Sequence, residues 1–126
     1  MSITRLQSTV TLRDAGQGWD AIRVARSVGL AAMDILGSRC GAVVEDSTVA
    51  YFFVPVGTAA SWDVDSTRPL GAGTSVTIPP ARRTEGPGPH WRICPGDDGW
   101  ITDPAALRAA IEDALEPAPA PAVRGT

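Results

Sequence analysis

Apolar residues along the chain follow two periods, and each change of period marks an element. Val10 and Leu12 alternate with Thr9 and Thr11 within the Ile3 to Arg13 stretch, the pattern of a half-buried strand. Asp14 to Gly18 is a turn cluster, and Asp20 is placed to cap a helix by accepting from its first exposed amides. Ala21, Val24, Ala25, Val28, Ala31, Ala32, Ile35 and Leu36 then recur at three- and four-residue steps, so the spacing predicts a helix over 20–36 that stops at Gly37. Gly29 inside it costs about 1 kcal/mol against alanine. Close packing by a neighbouring element explains such a residue better than a hinge.

The next stretch changes period. Gly41 to Val44 reads as a strand, Glu45-Asp46-Ser47 as a turn, and Val49 to Val54 as a strand with too few polar residues to face solvent on either side. Pro55 to Leu70 is expected to be a long connection carrying Trp62. Thr74 to Ile78 forms a short strand closed by Pro79-Pro80, which cannot continue a ladder. Ala81 to Pro89 is a loop of arginine, glycine and proline, and His90 to Ile93 is a last strand. Thr102-Asp103-Pro104 is a helix start with proline at the first helical position, followed by an apolar face of Ala106, Leu107, Ala110, Ile111, Ala114 and Leu115. The strands cluster between the helices, which predicts an α+β fold: a small, mostly antiparallel sheet with two helices packed on it. Residues 1–116 are expected to form one domain, and the Pro/Ala-rich residues 117–126 a disordered tail.

Composition narrows the class. The 126 residues carry 44% hydrophobic residues, enough for one core without staples. No signal-peptide pattern and no run of about 18–20 apolar residues is present, so a cytoplasmic protein without a membrane span is expected. Cys40 and Cys94 lack metal-ligand spacing and read as free thiols. The net charge of −3 argues against a protein devoted to a long phosphate backbone, since such affinity comes from neutralising several phosphates at once. A local basic patch is compatible with it.

Tyr51-Phe52-Phe53-Val54-Pro55, Gly71-Ala72-Gly73, Ser75-Val76-Thr77-Ile78-Pro79-Pro80 and the Gly86 to Trp91 stretch together resemble the later half of the bifunctional primase/polymerase N-terminal domain. The likeness covers roughly residues 41–94, about two-fifths of the chain. It implies a nucleotidyltransferase fold with a carboxylate cluster for divalent metal and a histidine near the nucleotide phosphates. The chain departs from that pattern where the chemistry needs it. Val49 stands where the histidine belongs, Arg68 where a later aspartate belongs, and Glu45 and Asp46 lie too near Tyr51 to be the early Asp-x-Asp pair. Two-metal phosphoryl transfer needs clustered carboxylates, so the resemblance implies a catalytically inactive relative that needs no cofactor.

The remaining chemistry is local. Asp63-Val64-Asp65 is a literal Asp-x-Asp, but no third ligand accompanies it, and a solvated loop is the simpler reading than a metal site. Arg68, Arg82, Arg83, His90 and Trp91 are the candidates for ligand or phosphate binding: guanidiniums fork onto oxyanions, and an indole stacks a flat group. His90 has no nucleophile tied to it by a recognisable motif, so a catalytic dyad is not expected. Trp19, Trp62 and Trp100 sit near element ends; they either cap a small core or mark an interface. The resulting expectation is a non-catalytic regulatory or protein-interaction module with an unidentified protein partner, or a homodimer. The alternative is a module binding a nucleotide or single-stranded nucleic acid. A divergent metal-dependent enzyme using Asp63 and Asp65 ranks third.

Overall fold

The computed structural model describes residues 11–96 and 99–115. The expected tail and the strand residues before Thr11 lie outside them. The chain runs through β1 (Thr11–Asp14), β2 (Asp20–Ala25), α1 (Arg26–Leu36), a 3₁₀ turn (Gly37–Arg39), β3 (Val43–Asp46) and β4 (Val49–Val54). It continues through α2 (Thr58–Ser61), β5 (Arg68–Leu70), β6 (Ser75–Ile78), β7 (His90–Ile93) and α3 (Pro104–Leu115). The pairs are all antiparallel: a five-stranded sheet in the order β5-β2-β4-β3-β7, and a two-stranded ribbon of β1 and β6. The architecture is the α+β class expected from the sequence.

The sheet has a core on each face. Ile22, Val24, Val43, Ala50, Phe52 and Val54 point to one side and pack against α1 and α3 through Ala32, Leu36, Leu107, Ala110 and Ile111. Ala21, Val44, Phe53, Leu70 and Trp91 point to the other and pack beneath the ribbon residues Val76 and Ile78. Central strand β4 is therefore covered on both sides, which is why its sequence reads as an almost unbroken apolar run. Gly29 lets α1 approach it closely: a Cβ at that position would lie 2.8 Å from the Ala50 methyl.

Four expectations need correction. The helix expected over 20–36 begins only at Arg26, because residues 20–25 form β2 between β4 and β5. The helical spacing takes in Ala21, Val24 and Ala25 and passes over Ile22, whereas the strand buries Ile22 and Val24 on one face and Ala21 on the other, and ladder pairing to β4 satisfies the backbone of Asp20 to Ala25. Asp20 caps no helix of its own. It is 2% exposed, and its Oδ2 accepts from the amides of Gly57 and Ala59, each at 2.9 Å, at the start of the one-turn α2. Glu45 and Asp46 belong to β3 rather than to a turn, and the connection to β4 is only Ser47-Thr48. The stretch expected as a long connection holds α2 and edge strand β5. The start of α3 follows the sequence: Asp103 Oδ2 accepts from the Ala106 amide at 2.9 Å, with Pro104 opening the helix.

Candidate functional site

Strand register gathers the chemistry into one row. Arg23 lies opposite Arg68 on one side and Tyr51 on the other, Tyr51 opposite Val44, and Val44 opposite Trp91. Directly opposed residues share a face, so Arg68, Arg23, Tyr51, Val44 and Trp91 cross the sheet on its ribbon side. The ribbon buries the Val44 and Trp91 end of the row. At the other end Arg23 and Arg68 are exposed and Tyr51 is half-buried.

A groove of about 510 Å³ passes the two arginines, between Thr48 and the Ser66-Thr67 turn. None of the described residues lining it is acidic. Its turn wall is held in place. Thr67 Oγ1 accepts from Trp62 Nε1 at 2.9 Å and donates to the Val64 carbonyl at 2.7 Å, while Ser66 takes a left-handed backbone angle, φ 65°. Thr48 is fixed by its carbonyl, which accepts from the Arg26 amide at 2.7 Å. Among the described residues neither Arg23 nor Arg68 has an acidic partner, and the hydroxyls of Thr48 and Ser66 are unengaged.

A second polar cluster lies on the helix face. Glu45 is 5% exposed on β3, and its carboxylate accepts from Arg26 Nε at the start of α1. Its other oxygen lies 3.5 Å from His90 Nε2, and His90 Nδ1 lies 2.9 Å from the Gly88 carbonyl. Burial by itself would raise the Glu45 carboxyl, but the Arg26 hydrogen bond and the charges of Arg26, His90 and Arg92 together hold it below the usual carboxylate range. This cluster ties α1 and the 81–89 loop to the sheet.

The phosphate-binding candidates read from sequence are not brought together. β5 and β7 are opposite edges of the sheet, so Arg68 lies four strand spacings, roughly 19 Å, from β7. Arg83 is beside β7, where its carbonyl accepts from the Trp91 amide at 2.7 Å, and Arg82 is exposed in the adjoining loop at φ 73°. Trp91 is 3% exposed, its ring against Phe53 and Trp100, so it offers no open face for a base. Trp19 packs edge-on to Phe53 with centroids 4.9 Å apart, and Trp100 packs on the same ring at 5.2 Å, so both serve the ribbon-side core. Trp62 is half-buried against the helix-side core. Asp63 is ion-paired to Arg108 at 2.9 Å, Asp65 is exposed, and no cluster of three potential metal ligands exists among the described residues.

Sequence reasoning missed Arg23 and Tyr51. A helical spacing over 20–36 leaves Arg23 off its apolar steps, and only the strand β2 puts it opposite Arg68. No family model, curated protein or solved structure matches this chain. No helix among the described residues is long and apolar enough to cross a membrane.

Proposed function

We propose that this protein is a non-catalytic, primase/polymerase-like binding module that recognises a partner or ligand on the uncovered strip of its sheet. The observation that carries this reading is the pair Arg23 and Arg68, directly opposed and without a counter-charge among the described residues. Like charges opposite one another weaken a sheet, so stability gives no reason to hold them there, whereas an anionic ligand does. The groove offers guanidiniums, hydroxyls and aliphatic carbons. These are groups that bind and orient; general acid–base work calls for a positioned group able to exchange a proton near the working pH.

An acidic segment of a regulatory protein partner fits the two arginines, and this is the leading reading. A nucleotide or short single strand is the second reading, supported by the two guanidiniums, which suit phosphate oxygens as well as carboxylates. The test is a pull-down from host lysate with the wild-type chain and with R23E/R68E, each with and without nuclease. A protein recovered by the wild type despite nuclease, and lost from the variant, supports the leading reading; nucleic acid lost in the same way supports the second. Equal recovery by both chains overturns the assignment to this strip. Nucleotidyl transfer by the wild type with nucleoside triphosphates and Mn²⁺ overturns the non-catalytic half.

A further inference from the structure

We propose that Arg23 and Arg68 form a clamp for the terminal phosphate monoester of a small ligand. The inference rests on the binding-module reading in its second form, a small ligand on this strip, and specifies the chemistry of what binds. The two guanidiniums project from directly opposed positions of β2 and β5 on one face, so a single group bound between them meets both. Each guanidinium presents a planar fork of donors matched to two oxygens. Two forks on one bound group therefore call for more charge and more acceptors than a single carboxylate or a single phosphodiester carries. A phosphate monoester has close to two negative charges at neutral pH and three acceptor oxygens.

The surroundings supply what such a group still needs. The unengaged hydroxyls of Thr48 and Ser66 line the same groove, within a wall already held by the Trp62–Thr67 and Thr67–Val64 hydrogen bonds. The carboxylates nearest each stretch of the lining along the chain, Asp20, Asp46 and Asp65, lie outside it and pair with neither arginine. Tyr51 stands beside Arg23 in the row, half-buried against the ribbon-side core and outside the groove's lining, so it borders the clamp without entering it. A monoester on a small ligand also suits a chain of net charge −3, which repels a long polyanion but not a compact dianion met by two local cations.

The test is a titration of the full ¹⁵N-labelled chain, following the backbone amides and the arginine Nε–Hε resonances. The probes are phenyl phosphate, inorganic phosphate, a nucleoside 5′-monophosphate, dimethyl phosphate and an oligonucleotide without terminal phosphate. Phenyl phosphate is expected to shift the Arg23 and Arg68 resonances, with affinity falling roughly tenfold or more in R23Q and in R68Q. Dimethyl phosphate, with one charge, should bind at least roughly tenfold more weakly. Because the ester sheds its second charge near pH 6, affinity should also fall between about pH 7.5 and about pH 5.5. Thermal melts establish that both variants are folded. Equal binding of dimethyl phosphate and phenyl phosphate, a preference for the internal diesters of the oligonucleotide, or unchanged affinity in both variants overturns the clamp. If every monoester leaves the strip unshifted while R23E/R68E still loses its lysate partner, the clamp falls and the binding-module reading stands. If that partner is retained as well, both fall.

Discussion

If Arg23 and Arg68 are kept together for binding, Arg68→Glu should make the protein more stable while removing its ligand. The two residues face each other across the β2–β5 pair. Guanidiniums about 6 Å apart repel by roughly 0.7 kcal/mol in unscreened water, and about half of that survives at 0.1 M salt, where the screening length is about 10 Å. Glutamate replaces this repulsion with an attraction of similar size. The swing is therefore about 0.8 kcal/mol, inside the range of roughly 0.2–1 kcal/mol found for cross-strand pairs. For a domain of this size that corresponds to a rise in melting temperature of about 3 °C. Calorimetry of the wild type, Arg68→Gln and Arg68→Glu in low salt should show an ascending series, with the neutral variant near the middle. In about 1 M salt, where the screening length is only about 3 Å, the spread should largely close. A lower melting temperature for Arg68→Glu, or a gain indifferent to salt, would refute the claim that the pair is an electrostatic cost held for function.

Three further predictions test the frame that carries the groove. Asp20→Ala removes the acceptor for the Gly57 and Ala59 amides at the start of α2; a loss of about 2–4 kcal/mol is expected by urea denaturation, since each hydrogen bond to a charged group contributes about 1.5–3 kcal/mol and removal of the buried charge offsets part of it. A loss below about 0.5 kcal/mol, the size of an ordinary surface change, would show that Asp20 does not hold this turn. Glu45 has a folded-state pKa below its unfolded value, so its contribution is fully present above the ordinary glutamate range and is lost as the pH falls through the folded value. Urea midpoints measured from neutral pH downward should hold steady and then decline below about pH 4.5, with Glu45→Gln lower at neutral pH and converging with the wild type in acid; parallel curves would contradict the assignment. Burial, partly opposed by a hydrogen bond with Thr102, pushes the Cys40 thiol up to about 11, whereas Cys94 is exposed. At pH 8 a chromogenic disulfide reagent should therefore modify one thiol quickly and the second much more slowly until unfolding exposes it, and two fast equivalents would contradict the raised Cys40 thiol.

The limits of sequence reasoning show most clearly at residues 20–25. In Asp-Ala-Ile-Arg-Val-Ala, Ala21, Val24 and Ala25 fit a helical spacing while Ile22 and Val24 alternate as in a strand, and helix α1, which follows directly, draws the reading toward helix. Pairing with β4 and β5 decides the matter, because it satisfies the backbone groups of β2 on both edges. That one reassignment moves Asp20 from a cap to a buried strand position and brings Arg23 opposite Arg68. Glu45 was misread for a similar reason: a carboxylate beside Asp46 and Ser47 resembles a turn until Arg26 and His90, 19 and 45 positions away in the chain, meet it in the fold.

What the chain determined by itself was local: the α+β class, the doubly covered β4, the closing strand at His90–Ile93 and the capped start of α3. Each follows from side-chain periodicity or from the hydrogen-bonding needs of a few adjacent residues. The site was decided by tertiary structure, because opposition across strands depends on sheet order and register. Sheet order separates Arg68 from Arg82 and Arg83, which are closer to each other and to Trp91 in sequence, and register joins Arg68 to Arg23, 45 positions earlier. Trp91 was likewise assigned by packing: the indole that suits a stacking platform in sequence is committed to the core beneath the β1–β6 ribbon.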